Sequence, residues 1–256
     1  IMATYNKRGY KGKNVEESQQ LQNENSTTAE VFSSLDEGAS KTEAWVAANQ
    51  TYILGVIGAV ALAVLGYLGY VQFVQKPQEA TAANELFYPQ QYFDQAINAT
   101  QAKDSLFQLA LDGAEGKYGL LDITKEYAGT KAANLAHYAA GISLLNLQKY
   151  PEAIAELEQF SSDDAVLGAL AQGAIGDAFM QLEQTSEALS YYQSALGHSN
   201  NEFTTPKFLH KAAVAAVALG QKEKAASYIA QIKTDFPNAL EAAGADALLG
   251  LMNGDK

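Results

Sequence analysis

The sequence predicts an all-α protein: a disordered N-terminal tail, one transmembrane helix, then an α-solenoid of stacked helical hairpins. Three observations carry that prediction. Residues 14–50 are rich in Glu, Gln, Asn, Ser and Thr and poor in large apolar side chains. Tyr52–Val74 is 23 residues without a charge, in a chain where 18% of residues are charged. Behind it, an apolar 3–4 pattern recurs at a nearly constant spacing.

Composition bounds the rest. The 256 residues are 48% hydrophobic, enough to build a core, and carry a formal charge of −12. That charge is uneven. Residues 1–13 hold Lys7, Arg8, Lys11 and Lys13 and no acid, whereas residues 77–256 hold eleven Lys against twenty-two Asp and Glu. An acidic body repels nucleic acid, which excludes that class of partner. There is no cysteine, so disulfides, thiolate metal sites, cysteine nucleophiles and a lipidated cysteine are excluded. The chain begins Ile1-Met2, and Met2 reads as the natural start.

The tail, residues 1–50, buries too little surface to offset the entropy of ordering it. Its basic cluster is either a solubilising start or a contact with anionic lipid.

The transmembrane helix takes residues 51–75. A helix over Tyr52–Val74 measures about 34 Å, against roughly 30 Å of bilayer hydrocarbon. Tyr52 stands at one end and Tyr67, Tyr70 and Phe73 at the other, where amphipathic rings prefer the headgroups. Lys76 and Pro77 close the segment. A cleaved signal peptide fits less well, because its apolar region is 7–15 residues behind a short basic leader. A buried core helix fits less well too, since polar residues are missing from every face. Gly55, Ala59 and Ala63 recur every fourth residue, as do Gly58, Leu62 and Gly66. They are candidates for a helix-packing face in lipid, although Gly and Ala are common in any span. One basic residue flanks each end closely, Lys41 and Lys76, but the whole tail carries five. That favours a cytoplasmic tail and a C-terminal body on the far side.

The body, residues 76–256, is repetitive. Gly141, Leu144, Leu147, Ala153, Leu157 and Phe160 align with Gly176, Phe179, Leu182, Ala188, Tyr192 and Ala195 at a shift of 35. A further shift of 37 reaches Ala213, Ala216, Leu219, Ala225, Ile229 and Ile232, and Pro237 closes the unit. Each unit reads as two amphipathic helices that bury their apolar faces only by stacking on neighbours. Small residues at Gly141, Gly176 and Ala213 mark where paired helices approach closely.

This pattern resembles the tetratricopeptide repeat: a small residue, a large one three later, Ala twelve after the small one, and a closing Pro. The early Trp of the pattern is absent, with His137 and Gln172 in its place. The repeats run at about 134–167, 169–202 and 206–239. The long helix near 80–111 and "GLLDITKEYAG" look like a degenerate pair before them, and "LEAAGADALLGLMNG" like a capping helix after.

Chemistry is sought and not found. In "GAEGKYG" a phosphate-binding loop would need Gly at 111 and Ser or Thr at 118, where Leu111 and Tyr118 stand. His137, His198 and His210 are far apart, and His137 reads as packed in the repeat core. Asp163-Asp164 reads as a turn and helix cap. No catalytic, metal or cofactor site and no small-molecule substrate is expected.

What the resemblance implies is a surface. In that architecture the first helices line a groove for peptides or helices. Carried over, the groove positions are Tyr138, Ile142 and Asn146, then Gly173, Asp177, Met180 and Gln181, then Lys207, His210, Lys211 and Val214. Lys207 and Lys211 resemble half of the family's carboxylate clamp, but Tyr138, Ile142 and Ala174 replace the Lys and two Asn of the remainder. The layout of tail, span and repeats resembles the YfgM-type ancillary subunits of the bacterial Sec translocon, and "LALDGAEGKYGLLDITKEYAGTKAANLAHYAAGISLL" resembles a tetratricopeptide family common in Bacteroidetes. The resemblance implies a single-span inner-membrane protein with periplasmic repeats. Its partners would be Sec translocon subunits and a periplasmic chaperone or emerging chain. A scaffold of another envelope machine, or a regulator signalling through the tail, remain alternatives.

Overall fold

The computed structural model describes the backbone of residues 15–198 and 200–254, and the side chains of 42–198 and 200–252. The chain divides into two units at Gly69/Tyr70. The expected disorder of residues 1–14, and with it the basic cluster, lies outside the described residues.

The first unit is a helix. α1 runs Val15–Tyr70, so residues 15–50 are helical where composition predicts disorder. The physical reason is propagation: once the apolar segment is helical, each added residue needs no new nucleus, and Glu, Gln, Leu and Ala extend a helix readily. Within the continuous helix Thr42–Asn98, the most apolar 18-residue window has a mean hydropathy of 2.1 and no buried residue. By length and composition this is one helix able to cross a bilayer.

Pro77 does not end that helix. A π turn, Val71–Gln75, leads directly into α2 (Lys76–Asn98). Proline lacks the N–H that would bond the carbonyl four residues back, and its ring crowds that carbonyl. The widened turn ahead of it, closed by Lys76 N–H to the Val71 carbonyl, accommodates the defect.

In the second unit, α2 is followed by α3 (Lys103–Asp112) and α4 (Leu120–Glu126). The single long helix expected near 80–111 is therefore two, broken where Ala102 adopts a left-handed conformation with φ of 55°. Between α3 and α4, "GAEGKYG" is a tight turn. A Cβ on Gly113 or Gly119 would collide with the backbone of the opposite limb.

Three hairpins follow: α5 (Lys131–Asn146) with α6 (Tyr150–Gln159), α7 (Ala165–Gln181) with α8 (Thr185–His198), and α9 (Thr204–Ala218) with α10 (Lys222–Asp235). α11 (Leu240–Gly254) closes the stack on α9 and α10. The first helices start a few residues ahead of the repeat frame because polar caps precede it. Thr130 Oγ1 accepts from Ala133 N–H, Asp164 Oδ1 from Val166 and Leu167, and Asn201 Oδ1 from Phe203 and Thr204. Both oxygens of Glu79, on α2, accept from Lys131 N–H at 3.0 Å, so α2 caps the first hairpin from 52 residues away.

The hairpins pack as their small residues dictate. A Cβ on Gly141 would enter the Leu157 side chain, and one on Gly176 would lie 2.6 Å from the Tyr192 ring. Ala153, Ala188 and Ala225 are fully buried on the second helices. Alanine is the commonest buried residue among those described, which lets the helix axes approach closely. Shared members such as Ile142, Phe179 and Tyr228 join the local clusters into one core. His137 is only half-buried, and its Nδ1 lies 2.7 Å from Glu156 Oε2, tying α5 to α6.

Each first helix ends in the same way. Leu147, Leu182 and Leu219 are the last half-helical residues. The next residue is left-handed in every copy: Gln148 at φ 61°, Glu183 at 60° and Gly220 at 70°. The residue after that donates back across the turn, Lys149 to Leu144, Gln184 to Phe179 and Gln221 to Ala216, at 2.9, 2.9 and 2.8 Å. This six-to-one bond satisfies the orphaned carbonyls, but only the third copy places glycine at the left-handed position.

A second repeat runs along the outer helices. The Tyr191 hydroxyl donates to Glu158 Oε1, and Gln193 Nε2 donates to the Tyr228 hydroxyl, both at 2.7 Å. Tyr191 and Tyr228 are equivalent at the shift of 37, and Glu158 and Gln193 at the shift of 35. Each second helix is thus strapped to the next through one tyrosine.

Candidate protein-binding groove

The first helices α5, α7 and α9 lie against one another, and equivalent positions line up as rungs across them. Ile142, Asp177 and Val214 form one rung, Leu145, Met180 and Val217 a second, and Asn146, Gln181 and Ala218 a third. Between these helices lies a groove of about 560 Å³, lined in part by Asn146, Asp177, Met180, Gln181, Lys211 and Val214. An adjoining pocket of about 210 Å³ takes in Tyr138, Ile142, Gly173 and Lys207, and shares Asp177.

Ten of the eleven groove positions read from the sequence therefore gather in two adjoining hollows. His210 does not line either; a Cβ added to Gly244 would lie 2.8 Å from its Nε2, so it faces α11. Gly173 serves packing: the Phe208 ring fills the space where its Cβ would be. Sequence reasoning missed Leu145, Gln148, Tyr150 and Tyr192 as groove lining. Leu145 was findable, being the repeat equivalent of Met180, whereas Tyr192 enters the sequence pattern only as the repeat equivalent of Leu157 and Ile229.

At the floor, Lys211 Nζ contacts both oxygens of Asp177 at 2.5 and 2.6 Å. The Tyr192 hydroxyl donates to Asp177 Oδ1 at 2.8 Å, and the Lys211 ammonium lies 5.9 Å from the Tyr192 ring centroid. Burial, then the Asp177 charge and hydrogen bond, push the Tyr192 phenol far up, so it stays a neutral donor. One carboxylate thus binds three helices, α7, α8 and α9. Burial alone raises the Tyr138 phenol, which packs against Phe160 with ring centroids 5.1 Å apart.

In the apolar segment, a Cβ at Gly55, Gly58 or Gly66 would meet nothing within 4 Å. Ala59 and Ala63 are likewise exposed, so this face is uncovered in the single chain.

Comparison with known proteins bears on the last hairpin. The family model described as "Tetratricopeptide repeat" matches residues 208–239, which take in α9 from Phe208 onward, all of α10, and Pro237. The chain contains a tetratricopeptide repeat. No curated protein matches it. Among solved structures, MamA AMB-1 (crystal form P212121) is similar at 16% identity over 63% of this chain and 97% of that one, with a TM-score of 0.36. The repeat itself supports a protein–protein interaction module, and the two preceding hairpins share its geometry down to the six-to-one turn.

Proposed function

We propose that the chain is a single-span inner-membrane protein with a cytoplasmic tail, whose periplasmic tetratricopeptide-type repeats act as an accessory module of the Sec translocon. In this reading the span packs beside translocon helices through Gly55, Ala59 and Ala63, or through Gly58 and Gly66. The groove holds a periplasmic chaperone or an emerging chain. The observation that carries the reading is the pairing of two uncovered surfaces in one chain. One is a groove built from equivalent rungs of three first helices. The other is an apolar helix with Leu62 72% and Phe73 80% exposed, a surface that water does not tolerate.

Extraction in mild detergent followed by pull-down tests it. Translocon subunits are expected in the eluate, and should be lost when residues 51–75 are replaced by an unrelated apolar span. Recovery of a different envelope assembly would favour a scaffold, and recovery of a cytoplasmic partner through the tail a regulator. Protease added to intact spheroplasts should digest the body and spare the tail; the reverse pattern would invert the topology.

A further inference from the structure

The groove carries its own counter-charge, and this selects among ligands. Its lining holds one carboxylate, Asp177, and one ammonium, Lys211, and each is spent on the other. Both Asp177 oxygens contact Lys211, and one also accepts from Tyr192. Within this hollow of about 560 Å³ a ligand carboxylate finds no spare cation and a ligand ammonium no spare carboxylate; a further cation, Lys207, lines the adjoining pocket. The surrounding chain, at −12, disfavours an acidic segment at longer range as well. What the lining does offer is apolar surface at Leu145, Met180 and Val214, with side-chain amides at Asn146 and Gln181. Asn146 spends one N–H on the Ile142 carbonyl, which leaves its second N–H to donate and its oxygen to accept. Amides one repeat apart suit the alternating donors and acceptors of an extended backbone, and the apolar rungs suit its side chains.

Resting on the groove reading above, we infer that this groove takes an extended, uncharged apolar segment of unfolded polypeptide rather than an acidic tail. Asp177 and Lys211 act as specificity determinants by cancelling one another. Of the two occupants named above, the emerging chain is the one the electrostatics fit.

Fluorescence anisotropy on the detergent-solubilised full chain tests this with three labelled synthetic peptides of equal length: uncharged and apolar, acidic with a free C-terminal carboxylate, and basic. The uncharged peptide should bind at least about tenfold tighter than the other two. Its affinity should change less than about twofold between roughly 50 and 300 mM salt, because no charge pair forms on binding. Met180→Glu should abolish binding, which locates it in the groove. Asp177→Asn frees Lys211 and should raise acidic-peptide affinity about tenfold; Lys211→Met frees Asp177 and should do the same for the basic peptide. Circular dichroism checks that each variant stays folded, and the wild-type ranking stands by itself if one does not. Tighter, salt-sensitive binding of the acidic or basic peptide to the wild-type groove overturns this inference while leaving the groove reading intact. Failure of all three peptides to bind overturns both.

Discussion

Leu62 and Leu157 are the same residue in opposite circumstances. Leu62, in the apolar segment of α1, is 72% exposed; Leu157, on α6, is fully buried. The segment around Leu62 is apolar on every face, and among the described residues no element of the chain packs against its small residues Gly58 and Gly66. Leu157 belongs to a register, opposite Gly141, whose missing side chain is the space it fills. Apolar composition alone does not determine burial. A small residue on a packed neighbouring helix makes a leucine part of a core, and without such a neighbour a leucine requires an apolar solvent.

Three measurements break or sharpen that contrast. Leu157→Ala should destabilise the repeat body by about 2–5 kcal/mol in denaturant titrations, because it leaves a cavity against Gly141. Leu62→Ala should leave the same transition within about 0.5 kcal/mol. The positions exchange roles when charge replaces size: Leu62→Arg should cost about 2.5–3.5 kcal/mol of membrane insertion, read as loss from the carbonate-resistant fraction. Unchanged membrane retention would remove the bilayer from the account.

Smaller effects lie within the repeats. Gln148→Gly and Glu183→Gly each relieve a left-handed residue and should stabilise the body by about 0.5–1 kcal/mol, while Gly220→Ala should cost about 1 kcal/mol. The smallest concerns alkaline pH. Burial, with help from Glu158, pushes the Tyr191 phenol up to about 12. The folded value lies above the unfolded one near 10, so this contribution is full below about pH 10 and lost as pH rises through about 12. Tyr191→Phe should flatten part of the stability loss in that window.

The repeats were legible because their signal is periodic: Gly141, Gly176 and Ala213 fall at contact points that recur whatever the intervening sequence. The path of the chain ahead of them was not. Its breaks depend on Ala102, which carries no turn signature, and on a π turn that absorbs Pro77, which does. The groove positions follow from the resemblance to the tetratricopeptide repeat, carried over helix by helix, rather than from the period itself. His210 escaped because α11 lies across it, and a capping helix belongs to no repeat. The Asp177–Lys211 pair escaped as a pair because its spacing of 34 runs diagonally between rungs, off the period of the repeat.

The tyrosine straps on the outer helices have a mechanical consequence. Glu158 makes the bond between the first and second hairpins a charge-assisted one, whereas Gln193 makes the bond between the second and third neutral and therefore about half as strong. At α10 the position corresponding to Gln193 is Ala230, which has no side-chain acceptor or donor. The first two joints thus differ in their straps, and α10 is tied to α11 instead by Lys233 Nζ, which donates to Asp246 Oδ1 at 2.6 Å.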